Sequence, residues 1–148
     1  MINLKRILHP TDFSENSSRA LKFACLFAKQ FDAELHILHV INNAAILSPG
    51  IDGVIPPDYY PKLTLHAGNE LEKLPGGRLK FKGTVIRSTL EGIPFVEITR
   101  YAKENEIDMV IMGTHGRTGL MHLLIGSVAE NVVRRSPCPV LTVHPDDA

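Results

Sequence analysis

What most constrains this chain is the order of its hydrophobic patterns. Short apolar runs suited to buried strands alternate with longer stretches whose apolar residues recur at helical spacing. Leu4 to His9 reads as a first strand, closed by Pro10, Thr11 and Asp12. Ser17 to Phe31 then repeats Ala20, Leu21, Ala24, Cys25, Ala28 and Phe31 along one helical face. Glu34 to Ile41 is a second strand, and a helix is expected from about Asp58 to Leu74, before Pro75, Gly76 and Gly77 stop it. Leu79 to Arg87 alternates like a third strand, its charge placing it near an edge. Gly92-Ile93-Pro94 opens a third helix, Ile107 to Met112 is a fourth strand, Ser127 to Arg135 a last helix and Val140 to Val143 a final short strand. Such alternation predicts an α/β fold, a parallel sheet covered by helices on both faces. At 148 residues it suits a single domain with its own core.

In sheets of this kind ligands bind beyond the carboxyl ends of the strands, where the winding direction reverses. That places Asp12 after strand one, Val40 near the end of strand two and Gly113 after strand four around one expected site. The local chemistry after strand four agrees. Met109-Val110-Ile111-Met112 runs into Gly113, Thr114, His115, Gly116 and Arg117, and with nine residues intervening after Gly116 the chain reaches Gly126, then Ser127 and Val128, at a helix start. Glycines allow close backbone approach, and a helix start offers free N–H groups and partial positive charge to a phosphate. No lysine precedes Ser127, so this is not a Walker A loop, and the spacing is not Gly-x-Gly-x-x-Gly. A plainer alternative is a long connection whose glycines serve turning alone.

The remaining candidates also carry two readings each. Asp12 either caps the first helix, spaced from Glu15 as in a capping box, or is a carboxylate that accepts from a sugar hydroxyl or holds a water on a bound Mg²⁺; one residue can do both. Arg117 can neutralise a terminal phosphate or stand exposed in its loop, and His115 can face ligand or solvent. Pro10, Thr11 and Met112 belong to the candidate set because they flank Asp12 and Gly113. His36 and His39, three apart on a strand, point to opposite faces and cannot readily share an ion. No Gly-x-Ser-x-Gly elbow or evident acid–base pair is present, so no catalytic residue is assigned and binding is better supported than turnover.

Composition narrows the partners. Basic and acidic residues both number 16, and aromatics make up 6% with no tryptophan. This balance argues against a nucleic-acid or membrane-surface protein. The first strand begins almost at Met1, no apolar run approaches the length of a membrane span, and Cys25 and Cys138 form no CxxC pair, so a cytoplasmic setting is expected. The loop over 42–57 carries Ala44, Ala45, Ile46 and Leu47, either a partner-facing patch or a segment folded back on the domain.

Taken together, several segments resemble the universal stress protein family over nearly the whole chain. They are Ile7 to Ser14, Leu35 to Val40, Gly92 to Pro94, Asp108 to Leu120, Gly126 to Glu130 and Cys138 to Val143. The spacing Gly-x2-Gly-x9-Gly-Ser resembles that of the family's ATP-binding branch. The resemblance implies a Rossmann-like three-layer sandwich whose five-stranded parallel sheet has the order 3-2-1-4-5. ATP or another adenine nucleotide, with Mg²⁺, would lie between the ends of strands one and four. Asp12 would lie at the nucleotide, backbone at Val40 would meet adenine, and Gly113, Gly116, Gly126, Ser127 and Val128 would hold ribose and phosphates. It also implies a homodimer paired through Val140 to Val143 and a regulatory role toward a protein partner. A slow ATPase and a nucleotide-independent dimeric module remain as alternatives.

Overall fold

The computed structural model describes residues 1–43, 55–116 and 125–145. The strands are β1 (Arg6–Pro10), β2 (Glu34–Asn42), β3 (Val85–Gly92), β4 (Met109–Gly113) and β5 (Val140–Val143). The α-helices are α1 (Glu15–Phe31), α2 (Tyr59–Glu72), α3 (Pro94–Glu104) and α4 (Ser127–Arg135). All four strand pairings are parallel and the order is β3-β2-β1-β4-β5, as expected.

Two cores fill the space on either side of the sheet. On one face Ile7, Leu35, Ile37 and Ile111 pack against Ala20, Leu21, Ala24 and Ala28 of α1 and Leu71 of α2. On the other, Leu8, Leu38, Val110 and Met112 meet Ile98, Tyr101 and Ala102 of α3 and Ala129 and Val132 of α4. Successive strand residues point to opposite faces, so the apolar runs of β1, β2 and β4 serve both cores. The alanines along α1 let that helix sit close over β1 and β4. Each fully buried leucine or isoleucine contributes about 1.5–3 kcal/mol. Cys25 belongs to the first core, where burial pushes its thiol up to about 11.

The third strand departs from expectation. It spans Val85–Gly92 rather than Leu79 to Arg87, and Gly77–Leu79 is a 3₁₀ turn. Leu79 and Phe81 pack against the first core from outside the sheet, so their alternation reports burial, not strand pairing. The true strand lies at the sheet edge, where Ser88, Thr89 and Glu91 dilute the apolar signal. Arg87 of this strand ties α2 down, its guanidinium donating to the carbonyls of Leu71 (3.0 Å) and Leu74 (2.9 and 2.7 Å). His36 and His39 do point apart: His36 shares a 2.8 Å hydrogen bond with Tyr101 of α3, whereas the His39 ring lies 4.6 Å from that of Phe13 beside the α1 core. Among the described residues no helix is long and apolar enough to cross a membrane. The patch Ala44 to Leu47 lies outside them.

Candidate functional site

The winding reverses between β1 and β4, and there the carboxyl ends of the strands open on a cavity of about 340 Å³. Pro10, Thr11 and Asp12 enter it from the end of β1, and Val40 from β2. Met112, Gly113, His115 and Gly116 come from the end of β4, and Gly126, Ser127 and Val128 from the start of α4. Arg117, the remaining predicted position, lies outside the described residues. The cavity also takes in Thr114, Ser17 of α1, Asn42 at the end of β2, and Pro94 and Ile98 of α3. None of these five was among the predicted site residues. For Pro94 and Ile98 a signal existed: a helix following an edge strand starts at the same end of the sheet as the site.

A dense set of short bonds fixes the β1–α1 turn. Thr11 is buried; its N–H donates to the Leu38 carbonyl (2.8 Å) and its carbonyl accepts from His39 Nδ1 (2.7 Å). The Thr11 hydroxyl oxygen accepts from the Phe13 N–H (3.1 Å) and from the Ser17 hydroxyl (2.8 Å). Phe13 has φ 63°, a left-handed conformation that costs a bulky residue about 1–2 kcal/mol and that follows directly on Asp12. The cap of α1 is Ser14, whose Oγ accepts from Ser17 N–H at 3.2 Å, so of the two readings of Asp12 the capping one is not met: that role falls two residues later. Asp12 Oδ1 instead accepts from the Ser14 N–H at 3.0 Å. This turn sets the carboxylate at the cavity wall.

The glycines are explained by close approach of other parts of the chain. A Cβ on Gly116 would lie 2.6 Å from Asp12 Oδ2, one on Gly113 2.4 Å from Asn16 Nδ2, and one on Gly126 2.9 Å from the Thr114 carbonyl oxygen. None of the three has a positive φ, so turning alone does not account for them. They let the β1–α1 turn, the β4–α4 connection and the first turn of α4 converge without side chains between them.

Gly126 is the N-cap of α4, and no side chain caps this helix. Its own N–H donates to the Thr114 carbonyl (2.5 Å). Ser127, Val128 and Ala129, the first turn, all line the cavity. The positive end of the helix therefore meets the cavity beside the carboxylate of Asp12, the one acidic side chain lining it among the described residues. Thr114 is buried and ties the site to β5: its N–H donates to the Val143 carbonyl at 3.0 Å, and its hydroxyl lies 3.4 Å from that oxygen and 2.8 Å from His115 Nδ1. Among the described residues no group of three His, Cys, Asp or Glu side chains could hold a metal ion.

The family model for the universal stress proteins matches residues 3–144. The chain belongs to the universal stress protein family. It is similar to universal stress protein MJ0531 of Methanocaldococcus jannaschii, 36% identical over 94% of this chain and 81% of that one. It is similar as well to universal stress protein MJ0577 of the same organism, 37% identical over 94% of both chains. The solved structure of MJ0577 superposes with a TM-score of 0.86 over 99% of this chain and 100% of its own. A universal stress protein solved in complex with cAMP is 26% identical, with a TM-score of 0.63 over 97% of this chain and 98% of that one.

Proposed function

We propose that this universal stress protein binds an adenine nucleotide, ATP with Mg²⁺, in the cavity between β1 and β4. Nucleotide occupancy, on this reading, regulates the recognition of a protein partner. The observation that carries it is the meeting of a helix N-terminus with no side-chain cap and the Asp12 carboxylate in one cavity at the reversal of winding. The α4 end suits phosphate oxygens, since its first N–H groups have no intrahelical acceptor. Asp12 suits a ribose hydroxyl, its Oδ1 held by Ser14. The apolar wall of Leu38, Val40, Pro94 and Ile98 suits the flat face of adenine, with backbone at Val40 reading its edge. Gly113, Gly116, Gly126, Ser127 and Val128 carry the ribose and phosphate contacts, and Arg117 neutralises the terminal phosphate. Pro10, Thr11, Met112 and His115 complete the walls.

Among the described residues one carboxylate lines the cavity, too few to hold a magnesium ion by itself. The donor set fits a cation that arrives on the phosphates, with most of its ligands from phosphate and water. The relative solved with cAMP supports an adenine nucleotide as the ligand class. The chain acts as a homodimer paired along β5.

The test joins two measurements on one preparation. Purified protein is denatured and released nucleotide identified by chromatography, and the stripped protein is melted with Mg·ATP. At free ligand about 100 times Kd, one site adds roughly 2.7 kcal/mol, raising the melting temperature by roughly 5 to 10 °C. Gly126→Arg abolishes the shift. A stripped protein that ignores millimolar Mg·ATP and carries no nucleotide on purification overturns the reading.

A further inference from the structure

Among the described residues, the start of α1 and the chain after β4 approach each other closely at two places. At one, Asp12 faces Gly116. The other contact comes from Asn16, in the first turn of α1, a residue that does not line the cavity. Asn16 Nδ2 donates to the His115 carbonyl at 2.8 Å. Its amide closes on Gly113, where an added Cβ would stand 2.4 Å from Nδ2 and 3.0 Å from Cγ. The Gly113 side of the loop is thus shaped to admit this one side chain.

Stability gives little net reason for an amide here, since the bond from Nδ2 to His115 is offset at the other end of the same group. Asn16 Oδ1 is buried without a hydrogen-bond partner, which costs the folded state. Alanine would remove that cost and favour the helix. What the amide does accomplish is orientation of a peptide. A trans peptide is planar, with its C=O and N–H on opposite sides. Drawing the His115 carbonyl toward α1 turns the N–H of Gly116 away from α1. Both His115 and Gly116 line the cavity.

We infer that Asn16 is a positioning residue for phosphate: it holds the His115–Gly116 peptide in the single orientation that offers the Gly116 N–H to a phosphate oxygen of the ligand. This rests on the nucleotide reading above and adds to it a residue whose effect falls on one part of the ligand.

Calorimetric titration of the full chain and of Asn16→Ala with Mg·ATP and, separately, with adenosine tests it. The variant should lose about tenfold in ATP affinity, the scale of one well-placed hydrogen bond, while adenosine binding stays within about twofold. Its melting temperature without ligand should stay within a few degrees of the parent's, because the bond lost at Nδ2 is offset by relief of the unpaired Oδ1. Asn16→Ser, whose hydroxyl is too short for the His115 carbonyl, should give the same split and covers the case in which the alanine variant fails to fold. Gly113→Ala should lower the melting temperature less in the Asn16→Ala background than alone, because the amide it collides with is gone. Equal losses for ATP and adenosine, or an unchanged ATP affinity, overturn the inference while leaving nucleotide binding in place. If the unaltered protein binds neither compound, the nucleotide reading falls first and takes this one with it.

Discussion

Replacing His9 with asparagine removes a proton-binding site that folding suppresses, and the effect can be worked out in advance. His9 lies on β1 just before the turn that carries Asp12, and its side chain is fully buried. Nδ1 donates to the Ile111 carbonyl at 3.0 Å, which places the neutral ring's proton there and leaves Nε2 buried with no partner. Burial lowers the pKa from 6.5 to about 4, opposed in part by the bond to Ile111 and then by the Asp12 charge. At about 1.4 kcal/mol per pH unit, this gap is worth about 3 kcal/mol. The sign follows from which state takes the proton. Above pH 6.5 neither state holds it and the protein has its full stability. As the pH falls from 6.5 to about 4 the unfolded chain binds a proton that the folded chain refuses, so stability is lost through this window. Below about 4 both states are protonated and the loss stops growing.

His9→Asn keeps an N–H donor for Ile111 and removes the titration. Its smaller side chain lowers stability at every pH, so the quantity to compare is the change with pH. Urea denaturation at intervals from pH 8 to 4 should show that the variant loses about 3 kcal/mol less than the parent across the window. His36, whose pKa burial also lowers, is present in both proteins and cancels. A variant with the parent's pH dependence, or an NMR titration placing folded His9 near 6.5, would refute the argument.

Other substitutions report on the site and on the sheet edge. Gly116→Ala should weaken Mg·ATP about tenfold or more in a titration, because its Cβ displaces the Asp12 carboxylate. Gly126→Ala meets a backbone oxygen that cannot swing aside, so it should cost about 1–3 kcal/mol in urea denaturation as well as nucleotide affinity. Asp12→Ala should weaken ATP and adenosine alike, since the ribose is common to both, and calorimetry of the two compounds separates this from the split expected at Asn16. The carbonyls of Pro139 and Val143 accept from Val110 and Thr114, so by period-two alternation Val140 and Thr142 turn their backbone groups outward. Thr142→Pro therefore leaves the pairing with β4 intact, removes an outward N–H, and should convert a dimer to a monomer in sedimentation.

Where the residues announced the architecture, they did so for a physical reason. β1, β2 and β4 are covered on both faces, so the positions at their centres are mostly apolar and the strands stand out as runs. α4 begins where Gly126 and Ser127 said it would because its N-cap is local chemistry. β3 was displaced because it is an edge strand, and because Leu79 and Phe81 fill the first core without joining the sheet. The site divides in the same way. That the glycines, Asp12 and Val40 converge was legible from the sheet's order, since topology fixes which strand ends meet. Why the glycines are glycines was not, because each answer is a contact with another part of the chain: Asp12 against Gly116, Asn16 against Gly113, the Thr114 carbonyl against Gly126. Asn16 carries no mark at all in its own neighbourhood, where it is an ordinary polar residue of a helix's first turn. It gains a role only when the fold brings it 2.8 Å from a carbonyl almost a hundred residues away. A spacing motif is thus the visible half of a set of pairs, and the hidden half is where, on the reading proposed above, a single substitution should separate phosphate binding from the rest of the nucleotide.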